Sequence, residues 1–487
     1  MAILNEFGSP YQYKAARSAE RYNGSRPWEP VQLRNIDKLI PSYDRKTLLS
    51  ASRRMYINIG VARGAIDQKA MYSVGRAWQP DFLGSDTEFG AQAKDWLVNQ
   101  WYGIGDVRGG MNDFVTSLFL ASVAIDRDGE AFILLTKTDD GYPRYQHIPA
   151  HQIATGSDET EGKTKGGVLR DGVVYNPQGA PLWYRLVDDD GKGKEWIQAA
   201  NMIHLYDPQW QEQGRGLPAF THALNDLRDM AQSHEWERMA QMMLSSIGII
   251  EYNENGGPDL DDPSNDLIGD VATGKGMTIE KLDGGSIRYF RANSGGKIET
   301  LKSDRPGEVW ENFQDRIIRS ALAGINWPYS MSWKATGQGT AERSDLGKAQ
   351  RAVEDRQDIL EYAAKRLISY AVAVQQKRQE LRSSADWWRW GFSKPAKLTI
   401  DDGRVMKELV ESYKMGFKSG SDITAAMGRE YKDVMRAKAE EAAQRMILIQ
   451  EMKDKYGVEI NPRELVMFTP NEQQTTETTS NDETSND

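Results

Sequence analysis

Two glycine runs that end in lysine are the first places to look for chemistry. Gly269-x4-Gly274-Lys275 has the glycine spacing of a phosphate-cradling loop, but Gly276 stands where Ser or Thr would hold Mg²⁺. Gly156-x5-Gly162-Lys163-Thr164 has the Lys-Thr pair, with one residue too many between the glycines. Such a loop needs a strand before it and a helix after it, so that backbone N–H groups and the helix N-terminus meet the anion. Neither run has that context, and both read as turns. Gly103-x-Gly105 with Gly109-Gly110 misses dinucleotide spacing and follows a helical pattern. The histidines are His147, His151, His204, His222 and His234. Pro149 breaks the helix that would align His147 with His151, and no carboxylate at ligand spacing completes a metal site. There is no Gly-x-Ser-x-Gly elbow for a hydrolase triad. With no cysteine in the chain, disulfides, thiolate metal sites and a cysteine nucleophile are excluded, which fits a reducing cytoplasm. Acid pairs such as Glu354-Asp355 sit on charge-mixed helical faces and read as solvated. Trp387-Trp388-Arg389-Trp390 could stack bases, but it follows a long helix and precedes Pro395, so packing at a junction is the simpler reading. The residues therefore point to no catalytic centre, cofactor or metal.

The elements that would position any site come next. The 487 residues suggest roughly three structural units. Lys and Arg total 61 against 71 Asp and Glu, a net charge of −10. That acidity argues against gripping nucleic acid through clustered cations. Glu472, Glu477, Asp482, Glu483 and Asp487 lie in a terminal segment, 471–487, that lacks large apolar residues, and disorder is expected there. The start of the chain shows no targeting signal. The longest uncharged apolar stretch, Phe114–Ile125, falls short of the ~20 residues needed to span a bilayer.

The first fifty residues, rich in Pro and aromatics, read as an extended arm. Helical spacing predicts helices over 45–72, 89–101 and 111–124. Short β-prone runs follow at 130–136, 168–175, 183–187 and 202–206, separated by Asp, Asn and Gly turns: an antiparallel region without the helix alternation of a doubly wound sheet. A helix runs from Pro218 to Ile247, and 248–306 reads as a small α/β excursion. Another helix covers 308–325. A polar loop then leads into a very long helix over 341–382, with a stripe from Leu346 to Val374. Helices resume from 401 to about 456.

The sequence resembles the tailed-bacteriophage portal proteins of the lambda-like group. The resemblance rests first on Ser52-Arg53-Arg54-Met55-Tyr56-Ile57-Asn58, with Ala62-Arg63-Gly64-Ala65-Ile66 and Val74-Gly75. It continues in Met202-Ile203-His204-Leu205-Tyr206 with Gly214-Arg215-Gly216-Leu217-Pro218, and in Ile317-Ile318-Arg319-Ser320-Ala321-Leu322-Ala323-Gly324 with Pro328-Tyr329. The order and spacing extend over about residues 10 to 420. After the loop, the chain departs from the family pattern at Glu342-Arg343-Ser344-Asp345-Leu346-Gly347.

The resemblance implies an α+β portal fold assembled as a ring, usually of twelve subunits, at one capsid vertex of the virion. The protein would be made in the bacterial host cytoplasm. Double-stranded DNA would pass through the channel. The terminase large subunit and head-tail connector proteins would dock at its outer end, and the major capsid protein would surround it. No enzyme activity, cofactor or membrane is implied. By segment, 1–220 and 341–398 would form a mixed α/β wing, 221–247 and 307–327 a helical stem, 248–306 an α/β clip, 328–340 a tunnel loop, 399–465 a helical crown and 466–487 a disordered tail. The expected DNA contacts are Lys334, Gln338 and Arg343 at the loop and Arg316 and Arg319 on the stem. Intersubunit ion pairs with Glu308, Glu311 or Asp315 are the alternative role for the two stem arginines. Two rival functions are an ATP-driven packaging or remodelling enzyme using the Lys275 or Lys163 loop, and another phage structural subunit such as a capsid protein or tail adaptor.

Overall fold

The computed structural model describes residues 40–75, 78–188, 190–246, 307–335, 339–395, 397–398, 402–420, 423–424 and 431–457, together with Ile36 and four short strand segments between 250 and 299. Most of the expected N-terminal arm, most of the 248–306 excursion, the Gly269–Lys275 run, Gln338 and the acidic tail lie outside the described residues; the last part of the expected arm, from Ser42, is helical rather than extended. The chain divides into two units, Met1–Ile400 and Asp401–Asp487.

In the first unit the helix expected over 45–72 is two helices, α1 (Ser42–Asn58) and α2 (Gly60–Val74). Ile59 between them is extended, with φ −113° and ψ 102°. A β-branched residue followed by glycine disfavours helix at that point. The apolar stripe nevertheless serves one core: Leu48, Met55, Ala62 and Ile66 are buried in the same cluster. Helix α3 (Thr87–Trp96) is capped by Asp86, whose side chain accepts from the Phe89 N–H, and it widens into a π-turn over Leu97–Trp101. Helix α4 (Phe114–Asp128) is capped by Asp113 and stopped by Gly129, which takes φ +89°. The helix expected over 111–124 is therefore shifted by three or four residues, from cap to stop signal.

Every ladder of the β region is antiparallel, as its turn spacing predicts, beside one parallel bridge between Asp106 and Tyr145. Strand β1 (Gln79–Phe82) pairs far along the chain, with a strand at Trp390–Ser393. Strands β2 (Glu130–Lys137) and β3 (Pro143–Ile148) form a hairpin. A second sheet runs in order through β4 (Gly162–Thr164), β5 (Gly167–Arg170), β6 (Val173–Tyr175), β7 (Pro181–Val187) and β8 (Gly193–Gln198). Strand β9 (Met202–Tyr206) returns to the other edge of β2. The run expected over 168–175 is split by a turn at Asp171 and Gly172, both at positive φ. Strands β3 and β8 escape sequence reading because charged and polar residues fill their exposed positions. Lys163 sits within β4, which pairs with β5 in a hairpin, so no helix follows the Gly162-Lys163-Thr164 run.

Helix α5 (Leu224–Ser246) follows a 3₁₀ turn, Ala219–His222. Two short ladders lie between it and the next helix: β10 (Ile250–Glu251) with β13 (Ile298–Glu299), and β11 (Ile279–Leu282) with β12 (Gly285–Arg288). Helix α6 (Glu308–Gly324) precedes a single helical turn, Tyr329–Ser332, inside the segment expected to be all loop. Helix α7 (Gly339–Lys377) begins two residues earlier and ends five residues earlier than its stripe suggests. From Ala349 to Val374 that stripe is buried; Leu346 is half-buried. Strand β14 (Trp390–Ser393) places Trp390 in the core 5.2 Å from Phe82, whereas Trp388 stays exposed. The tryptophan cluster is thus a packing junction at its last member. The second unit contains α8 (Asp402–Lys414) and α9 (Tyr431–Tyr456).

Candidate functional site

The densest chemistry in the molecule is a buried ionic junction, not an open site. Glu130, the first residue of β2, is fully buried. Arg215 donates from Nη2 to its Oε1 at 2.5 Å and from Nε to its Oε2 at 2.9 Å. Arg45 Nη1 lies 3.1 Å from Oε1, His204 Nε2 lies 3.0 Å from Oε2, and the Gly216 N–H donates at 3.1 Å. Asp171 pairs with Arg45 and accepts from Ser42 Oγ at 2.8 Å. Burial works against charge on Glu130, yet Arg215 and Arg45 outweigh it and hold the carboxyl well below its usual range. Burial pushes His204 the other way, toward the neutral ring, despite its contact with Glu130. A carboxylate with every lone-pair direction occupied has no capacity left to act as a base.

Neighbouring residues tie the same corner from other elements. Arg53 grips Asp128 with two hydrogen bonds of 2.9 and 2.8 Å, and Ser52 Oγ donates to the Arg127 carbonyl at 2.6 Å. Arg356 of α7 and Lys69 of α2 meet on Asp126, at 2.6 and 3.4 Å. Gly216 lies so close to Gly129 that a Cβ there would stand 2.0 Å from the Gly129 carbonyl oxygen. The segments Ser52–Arg53, His204 and Arg215–Gly216 therefore converge on one turn, residues 126–130. No spacing in the sequence reveals this convergence, because its members lie far apart along the chain, from Ser52 to Gly216. The histidines are structural: His222 Nε2 meets the Ala321 carbonyl at 3.1 Å and His234 packs edge-on against Trp310. Among the described residues no group of side chains could hold a metal ion, and no helix is long and apolar enough to cross a membrane.

Around this rigid corner stands a helix pair. Trp310 Nε1 and Gln314 Nε2 of α6 both donate to Ser233 Oγ of α5, at 2.9 and 3.2 Å. Taken with the His222–Ala321 contact, these bonds show that the two helices run antiparallel. Leu227 and Met230 are buried with Ile318, Ala321 and Leu322 between them. At 100° per residue, Trp236, Met239 and Met242 turn away from α6 and Val309 turns away from α5, while Phe313 stands at the rim of the groove between the two helices. These outward apolar side chains are exposed, Val309 by 85% and Trp236 by 64%.

The residues expected to touch DNA are placed as follows. Lys334 is exposed just beyond the helical turn, and Arg343 is exposed near the start of α7. The turn is held by Trp333 Nε1 donating to Asp315 Oδ1 at 3.1 Å and by Ser330 Oγ donating to Asp345 at 2.7 Å. Arg319 stacks over the Tyr329 ring, 4.5 Å from its centroid, and lines a cleft of about 730 Å³ with Lys348 and Arg351. Arg316 faces a different groove, beside Asp226 and Asp229. The structure thus separates the two stem arginines. Among the described residues neither pairs with Glu308, Glu311 or Asp315 within the chain, and Asp315 is taken by Trp333.

Residues 23–357 match the model of the phage portal protein, lambda family. No curated protein matches the chain. Among solved structures, the neck of an empty gene transfer agent particle is similar at 13% identity over 79% of this chain and 94% of that one, with a TM-score of 0.49. The neck of the native particle is similar at 12% identity over 79% and 93%, with a TM-score of 0.46. An HK97-family phage portal protein from Corynebacterium diphtheriae is similar at 12% identity over 62% and 88%, with a TM-score of 0.31. The family model, which covers more than two thirds of the sequence, carries the assignment: the chain belongs to the phage portal proteins of the lambda family.

Proposed function

We propose that this portal protein closes into a ring, of twelve subunits, at one capsid vertex and conducts double-stranded DNA without catalysis. Family membership supports the role. The observation that carries ring closure is the α5–α6 pair, a two-helix layer with an exposed apolar face on each side. A head-to-tail contact needs two different faces on each subunit, and such contacts close into rings when the rotation permits. In this reading 1–220 and 341–398 form the wing, 221–247 and 307–327 the stem, 248–306 the clip, 328–340 the tunnel loop and 399–465 the crown, followed by a tail at 466–487. Lys334, Gln338 and Arg343 meet DNA at the loop, and Arg316 and Arg319 do so from the stem. A chain of net charge −10 with a few cations along the path holds phosphates weakly, which suits a duplex that must slide. The terminase large subunit and the head-tail connector proteins dock at the clip, and the major capsid protein surrounds the wing. The ring is made in the host cytoplasm and ends in the virion.

Native mass spectrometry and negative-stain imaging test the assembly. A closed ring with an axial hole of duplex width is the expected result; a shell or a thin disc without such a hole would sink the reading. Robust ATP turnover that is abolished by Lys163→Ala or Lys275→Ala would replace it with the enzyme reading. Lys334→Glu with Arg343→Glu should impair genome packaging while rings still form. Normal packaging by that variant would remove the loop from the DNA path.

A further inference from the structure

The buried ionic junction has one donor too many. Arg45 is 3% exposed. Its Nε pairs with Asp171 and its Nη1 lies 3.1 Å from Glu130, while Nη2 is buried with no hydrogen-bond partner among the described residues. The acceptors nearby are already committed. Asp171 accepts from Ser42 Oγ as well as from Arg45, Glu130 is saturated, and Glu161 Oε1 takes the Asp171 N–H at 2.9 Å. Arg45 lines a cavity of about 200 Å³ whose walls include Arg170, Ile40, Tyr175 and Leu217. A space of that size takes a side chain rather than a single buried water. Helix α1 opens on the same cavity through Pro41 and Ser42, and Pro41, its N-cap residue, supplies no side-chain cap. The missing group is therefore an acceptor. A guanidinium beside a helix N-terminus favours a carboxylate.

We propose that the segment preceding Ile36 folds back onto this cavity and that Glu29 seats its carboxylate on Arg45 Nη2. Ile36, 8% exposed, is itself part of the cavity wall, so residues 1–35 leave the described structure at the cavity. Glu29 is the only carboxylate among the ten residues before Ile36. Seven residues span at most about 25 Å, so Glu29 is within reach of a cavity whose wall holds the near end of its tether. Pro30 disfavours helix at Glu29 and Pro27 stiffens the approach, so this segment loses less freedom on docking than an ordinary one. Trp28 and Pro30 supply apolar surface for Ile40, Tyr175 and Leu217. The contact lies within one subunit and goes beyond the ring reading, on which it does not depend. It makes the arm a strap across α1 and the turn between β5 and β6, where Asp171 sits.

The absence of cysteine makes the test direct. The full-length chain carrying Arg26→Cys and Arg170→Cys is treated with a short bismaleimide and digested for peptide mass spectrometry. A link between the two positions within one chain is the expected product. Adding Glu29→Lys should reduce its yield at least tenfold, and adding Glu6→Lys should leave it unchanged, with the same far-ultraviolet circular dichroism throughout. A yield indifferent to Glu29→Lys overturns the role of that carboxylate. A link between chains, seen as a dimer in denaturing electrophoresis, overturns the fold-back in favour of a neighbour's arm. No link at all leaves the cavity to water and overturns the inference. Amide exchange on the cysteine-free chain gives a second reading: Glu29→Lys should speed exchange over 42–48 at least tenfold, and unchanged exchange counts against the strap. None of these outcomes bears on ring closure, which imaging of the same preparation reads separately.

Discussion

Glu130 shows how a buried charge can organise a fold without catalysing anything. It accepts from Arg215, His204 and the Gly216 amide and pairs with Arg45, so three distant segments meet on one carboxylate. Removing its charge leaves two buried guanidinium groups under-compensated. Glu130→Gln should cost about 3–5 kcal/mol of stability, measured by denaturant unfolding. Gly216→Ala should also destabilise, because the new methyl would strike the Gly129 carbonyl, which is backbone and cannot move aside. Acid acts on a second buried group as well. Burial lowers the His147 pKa from 6.5 to about 4, so the unfolded chain takes up a proton there before the folded chain does. The stability from the neutral ring is full above pH 6.5 and is lost as pH falls toward 4. The depressed carboxyl of Glu130 loses its contribution at still lower pH, with the same sign. The unfolding midpoint in urea should therefore fall from pH 7.5 to pH 5, and His147→Gln should flatten that slope.

At the scale of elements, helices with long stripes were legible in the sequence and irregular joints were not. The buried stripe of α7 from Ala349 to Val374 is the sequence pattern made solid, and strand β9 falls where the run Met202–Tyr206 predicts. Leu360→Ala, at the centre of that stripe, should cost about 2–5 kcal/mol. By contrast, the break at Ile59 is invisible to periodicity because both helices share one apolar face. The helical turn at Tyr329–Ser332 depends on Trp333 reaching Asp315 and Ser330 reaching Asp345, contacts that no local propensity encodes. The ionic junction was hidden for the same reason: the first two motifs that resemble the family were readable, but the turn on which they meet, residues 126–130, belongs to neither. Among the proposed DNA contacts, spacing grouped Arg316 with Arg319, whereas the fold turns one toward α5 and stacks the other on Tyr329.

On the scale of the whole molecule, a monomer with apolar faces on both sides of its α5–α6 layer is an incomplete object. Val309→Asp on one face or Met239→Asp on the other should each prevent ring closure while leaving the monomer folded, read by native mass spectrometry beside circular dichroism. Either substitution sits on a surface that folding alone does not cover, so its effect should appear in assembly rather than in unfolding. The long helix also has a mechanical consequence. Thirty-nine residues extend over roughly 58 Å. Its distal half is clamped in the core by Leu360, Leu367 and Ala371, while its first ten residues bury no side chain. Such a rod is a lever with a fixed fulcrum and a long arm whose near end is tethered by Ser330 on Asp345. Load applied near Arg343 is delivered to the β2–β3–β9 sheet and to Arg356 on Asp126, far from where it began. Hydrogen exchange should follow that gradient, with fast exchange over 339–348 and slow exchange beyond Ala352, so that a tug at the near end is felt as strain in the distant sheet before any bond there is broken.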